Sequence, residues 1–163
     1  MSIDAIVLEL TRLEAAHLAG LVGQFSELVD GAASEDGDPA IKRLVPDAYD
    51  DADAADEFRR FTEGDLLDRR RDDAAVMLAS LAEAAVIPDD PEDPALLEVV
   101  GIRLDRVEAR SWLRTMAAIR LVLATRLGVA EIDDHEHDDP RFGIYDWLGY
   151  RLDGLVTAVA GGD

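Results

Sequence analysis

The densest run of ionisable side chains is Asp133-Asp134-His135-Glu136-His137-Asp138-Asp139. Imidazole and carboxylate both ligate zinc, nickel or manganese, so His135 and His137 are the weak metal-ligand candidates of this chain. Their spacing works against a built site. Two residues apart, they point to opposite sides of an extended segment and share no face of a helix. A solvated acidic loop between two helices is the simpler reading, and no cofactor is expected. The only further histidine is His17, and there is no HExxH motif and no paired ExxH motif.

Arg120 is more informative, because it falls in the stripe Leu113, Met116, Arg120, Leu123 and Leu127 of a segment that is otherwise apolar. A charge placed there must be paired or must border a cleft, since burying it alone is expensive. Asp56, Glu57 and Asp146 are its candidate partners. The favoured reading is an arginine that fixes helix packing. The alternatives are a side chain that reaches solvent or, with less weight, an anion-binding or catalytic group lining a pocket. Arg69, Arg70 and Arg71 form the one basic run. Their acidic neighbours suit helical pairs such as Asp65 with Arg69 and Arg69 with Asp73, so the run reads as a solvated face or a docking surface. Tyr145, Trp147 and Tyr150 cannot share one helical stripe. They read as core and rim packing, with a protein interface as the alternative.

No Walker sequence, GxGxxG, GxSxG elbow or CxxC is present. The absence of cysteine excludes a thiolate nucleophile and a cysteine-held metal or cluster. With 36 carboxylates against 16 basic residues the net charge is −20, which disfavours direct binding to nucleic acid or to an anionic membrane. Carboxylates are so abundant that no single pair of them marks a site. The N-terminal MSIDAIVLEL has no basic residue ahead of its apolar run, and no stretch is apolar enough to span a membrane. A cytoplasmic location is the expectation.

These residues need elements to position them. Ile6, Leu8 and Leu10 alternate within Ile3 to Leu10 as in a short strand, and LLEVVGIRL between Leu96 and Leu104 could pair with it. Thr11 and Glu14 form a capping box. It should open a helix that places Leu18, Leu21, Val22, Phe25, Leu28 and Val29 on one face. A short helix is expected after Pro39. The helix carrying Phe58 and Phe61 is expected to break at Gly64, with Asp65 capping the next one. Ile87 to Pro94 is a breaker segment. Asp105 and Glu108 form a second capping box, for a central helix from Arg106 to Leu127 closed by Gly128. A last helix starts near Asp139-Pro140 and carries Tyr145, Leu148, Leu152, Leu155, Val156 and Val159.

Three segments resemble a known family: LVPDAYDDADAADEFRRFTEGDL (Leu44 to Leu66), IRLVLATRLGV (Ile119 to Val129) and YDWLGYRLDGLV (Tyr145 to Val156). The family is the actinobacterial domain of unknown function 2017, and the likeness extends over nearly the whole chain. It implies a small, mostly helical, cytoplasmic protein. Some members are discussed as regulators of the oxidative-stress response that sense the oxidant through cysteines, a mechanism no position of this chain can carry. The expectation is therefore one mainly α domain over 1–163, a helical bundle around a central apolar helix, edged by a small two-stranded β-hairpin. Its expected function is regulation or adaptation through contacts with a protein partner. The alternative is a carboxylate- and arginine-based enzyme, or a small-molecule- or metal-binding protein. A homodimer is left open.

Overall fold

The computed structural model describes residues 5–31, 39–44, 52–128 and 142–161, with 41–43 and 52–64 described as backbone alone. In chain order the elements are strand β1 (Ile6–Thr11), α1 (Arg12–Gly31), α2 (Pro39–Leu44), α3 (Ala52–Leu81) and a 3-10 turn (Pro94–Leu97). Strand β2 (Val99–Leu104), α4 (Arg106–Leu127) and α5 (Gly143–Gly161) follow. The protein is mainly α, with a small antiparallel pair of strands. Ile6 lies opposite Leu104 and Thr11 opposite Val99.

Local chemistry sets the ends of these elements. At the start of α1 the Thr11 amide donates to Glu14 Oε1 and the Glu14 amide to Thr11 Oγ1, both at 3.1 Å, the reciprocal bonds of a capping box. Asp105 and Glu108 repeat the device at the start of α4. Gly128 closes that helix at φ 79°, the left-handed region a side chain rarely adopts. The expected break at Gly64 does not occur, and α3 runs unbroken from Ala52 to Leu81. An interior glycine costs a helix only about 1 kcal/mol, too little to end one held by tertiary packing. Asp65 consequently lies inside α3 rather than at a cap. The expected start of the last helix at Asp139-Pro140 lies outside the described residues.

The central position of α4 holds. Ala109, Trp112, Met116, Ala118 and Ile119 are buried on it, and it touches α1, α2, α3, α5 and β2. The inner face of the hairpin, with Leu10, Ile102 and Leu104 buried, joins the same core as Leu18 and Val22 of α1, Met77 and Leu81 of α3 and Leu148 and Leu155 of α5. Helices thus cover one face of a ribbon that would be marginal alone. No described helix is long and apolar enough to cross a membrane.

Candidate functional site

Arg120 is half-buried where α4 meets α5, and its surroundings belong to helix packing. Its guanidinium carbon lies 4.1 Å from the centre of the buried Tyr145 ring, and Nε donates to the Tyr145 carbonyl at 3.3 Å. On its other side is Gly149, where a Cβ would sit 2.8 Å from Nη2 and 2.9 Å from Nε and Cζ. The glycine supplies the room that a cation-π contact between the two helices requires. Arg120 lines neither of the two clefts described below. Of the carboxylates proposed as its partners, the Asp56 and Glu57 side chains lie outside the described residues, as do His135 and His137.

The polar network that does border open space is centred on Glu14. Having capped α1 with one oxygen, Glu14 uses Oε2 to accept from the Trp147 indole nitrogen at 3.0 Å and from Arg151 Nη2, both on α5. Arg151 also reaches the Glu9 carbonyl of β1 through Nη1 at 3.4 Å. Burial alone would raise the carboxyl pKa of Glu14. The Arg151 guanidinium, the Thr11 amide and the Trp147 indole outweigh it and hold the carboxyl below the usual glutamate range. A three-way tie among β1, α1 and α5 results.

A cleft opens on each side of this tie. Between α1 and α5 a space of about 520 Å³ is lined by Glu14, His17, Leu21, Gln24, Ile144 and Trp147, with Ala16, Gly20 and Gly143 completing the wall. Trp147 is half-buried and its indole is fixed by Glu14, while Ile144 is 53% exposed. Between β1 and α5 a second space of about 640 Å³ is bounded by Leu8, Leu10, Trp112, Met116, Arg151 and Leu155, among others. Trp112 is 1% exposed, and its indole N–H has no acceptor among the described residues. Both volumes fall in the range of sites that hold a side chain or a small molecule. Among the described residues no group of three or more histidines and carboxylates gathers as a metal would require.

The other candidates separate as their spacing implied. Tyr145 is buried against Arg120, Trp147 lines the first cleft, and Tyr150 is exposed beside Arg151. Of the arginine run, Arg69 is exposed, whereas Arg71 pairs with Asp68 one turn back and with Asp30 of α1. The expected pairing of Arg69 with Asp73 gives way to a tie between helices. Asp73 accepts from Ser111 Oγ at 3.0 Å and from both Nε and Nη2 of Arg114, at 2.9 and 3.1 Å. Sequence reasoning did not single out Arg151, His17 or Trp112, and it read Glu14 only as a cap. The signal within reach was the spacing of Trp147 and Arg151, four apart on one helical face.

A family model described as a domain of unknown function (DUF2017) matches residues 2–159 of the 163. No curated protein and no solved structure matches the chain.

Proposed function

This chain belongs to the family described as a domain of unknown function (DUF2017), and from that premise we propose that it is a regulatory or adaptor protein acting through protein–protein contacts. The α1–α5 cleft is the seat of the partner. The observation that carries this reading is an apolar recess with a pre-set aromatic wall. Glu14 immobilises Trp147 before any partner arrives, so little side-chain entropy is lost on docking, and Ala16 and Gly20 leave room for an inserted side chain. With a net charge of −20 over the whole chain, the fitting partner is a segment that presents an apolar anchor among basic residues. Any stress-related role runs through such contacts rather than through a thiol.

A photo-crosslinking residue at Gln24 in cells tests the seat. The expected result is a defined adduct that disappears on Gly20→Leu, which fills the recess, and does not form from the exposed Glu92. An adduct indifferent to Gly20→Leu would sink the reading. High salt should weaken the adduct, because opposite charges are being screened.

A second reading, a small-molecule site, is favoured by Trp112 in the β1–α5 cleft. A buried donor without an acceptor costs about 1–3 kcal/mol, and a ligand with an apolar body and a carbonyl or carboxylate oxygen would satisfy it once a small side-chain movement opened the indole N–H to the cleft. Titration with decanoate should move the Trp112 indole signal in a nitrogen–proton spectrum, assigned with the Trp147→Phe variant. A Trp112 signal that stays fixed at saturating decanoate and at saturating methyl decanoate rejects this reading. Nothing comparable supports an enzyme, since Arg120 is engaged in helix packing rather than facing either cleft.

A further inference from the structure

Strand β2 has β1 on one side and no described strand on the other. The Arg12 amide donates to the Glu98 carbonyl at 3.0 Å, which continues the register that sets Thr11 opposite Val99. In an antiparallel ladder, residues that exchange both backbone bonds alternate with residues that exchange none. Val100, Ile102 and Leu104 therefore turn their N–H and C=O groups toward β1, while Val99, Gly101 and Arg103 turn theirs to the open edge. No described residue bonds to those outward groups. The apolar surface beside them is also uncovered: Val99 is 60% exposed, Leu97 just before the strand 68%, and Val107 just after it 67%. Proline, a bulge or charged side chains commonly protect such an edge, and of these β2 has only the single charge of Arg103.

We infer that β2 pairs antiparallel with β2 of a second copy of this chain, about a two-fold axis at Gly101, to make a continuous four-stranded sheet. The reason to choose a second copy is that the edge is complementary to itself. Its outward residues are spaced symmetrically about Gly101, so one register sets Val99 opposite Arg103 of the second copy, Gly101 opposite Gly101, and Arg103 opposite Val99. All three outward residues then exchange backbone bonds, about six in all. Sliding by one residue matches outward groups with inward ones, and sliding by two leaves an outward residue unpaired. Gly101 keeps the axis clear of side chains, and the pairing brings the exposed Val99 and Leu97 of each copy to the seam. Added strands also relieve the marginal stability of a two-stranded ribbon.

Charge makes the test specific. Each copy carries −20, so self-association should strengthen with added NaCl, opposite to the salt response of the basic partner proposed at α1–α5. Sedimentation equilibrium over a range of protein concentrations should show the 17.7 kDa chain doubling in mass, more readily in high salt. Hydrogen exchange should then protect the amides of Val99, Gly101 and Arg103 only in the dimer, and those of Val100, Ile102 and Leu104 in both states. Val99→Lys, at an exposed position that leaves the core intact, should shift dimerisation at least tenfold toward monomer, and Ile144→Lys in the α1–α5 cleft should not. A monomer at every concentration and salt overturns the inference. So does a dimer whose outward amides exchange freely, or one broken by Ile144→Lys and not by Val99→Lys. Protection of the outward amides that appears only when another protein is added would assign the edge to that protein instead.

Discussion

Gly149 and Arg120 are a matched pair of residues, and neither is explained without the other. An alanine at 149 would place its methyl 2.8 Å from Nη2 of a guanidinium already held against the Tyr145 ring. Overpacking of this kind costs about 1–3 kcal/mol, while alanine gains about 1 kcal/mol over glycine in a helix interior. Gly149→Ala is therefore expected to lose about 1 kcal/mol in urea denaturation. The same change made in an Arg120→Ala background should be stabilising, and an equal effect in both backgrounds would show that the contact is irrelevant. Glu14 supplies a second test. Its carboxyl is held below the usual range in the folded chain, so the native state binds fewer protons there than the unfolded state does. The stability it contributes is complete above the ordinary value of 4.5 and fades as pH falls through the depressed folded value. Glu14→Gln should cost about 1–2 kcal/mol near neutrality. Measured by urea titration, that difference should shrink as acid protonates the parent side chain. A gap that stays constant with pH would place its origin in packing rather than charge.

Between elements, the ties run through single residues that sequence inspection assigns to something else. Asp73 lies within the acidic surroundings of an arginine run, yet it bridges α3 to α4 through Ser111 and Arg114. Ser111 is 3% exposed, so Asp73→Ala would strand its hydroxyl as well as release Arg114. A loss of about 1–3 kcal/mol is expected, and Asp68→Ala, which frees only an exposed pair with Arg71, should cost well under 1 kcal/mol. Equal losses in chemical denaturation would count against Asp73 as the tie. The contrast explains what was legible. Both capping boxes, the Gly128 terminus, the alternation within each strand and the apolar stripe of α1 depend on residues within a few positions of each other, or on one period, and they follow from the sequence. Gly64 misled because local propensity is a small term beside the packing of a long helix. Which residues meet across helices depends on axial rotation and on inter-helix register, which no local pattern encodes. That is why Arg120 could be read as charged and central without Tyr145 or Gly149 being found beside it. For the same reason the second use of Glu14, and the cleft it borders, were visible only once Trp147 and Arg151 of α5 were seen to reach it.

For the molecule as a whole the governing quantity is the excess of carboxylates, 36 against 16 basic residues. The arginines engaged with acids, such as Arg12 with Glu98, Arg71 with Asp30 and Asp68, Arg114 with Asp73 and Arg151 with Glu14, leave an unbalanced charge of −20 (16 − 36). Folding concentrates that charge and unfolding dilutes it, so self-repulsion opposes the compact state. Salt acts on both sides of the balance, because it screens the repulsion and also weakens the exposed pairs. Exposed pairs contribute about 0–1 kcal/mol each, and most of those named here have at least one partner well exposed, so the repulsion should dominate. Between 0.1 M and 1 M salt the screening length falls from about 10 Å to about 3 Å, which weakens the repulsion between exposed like charges. At a protein concentration low enough to keep the chain monomeric, the urea midpoint should accordingly rise with NaCl across this range. Urea is the proper denaturant, since guanidinium chloride is itself a salt and would hide the effect. A midpoint that falls would mean that the Glu14 and Asp73 ties outweigh the repulsion. The repulsion would then still oppose folding, but as the smaller of the two terms.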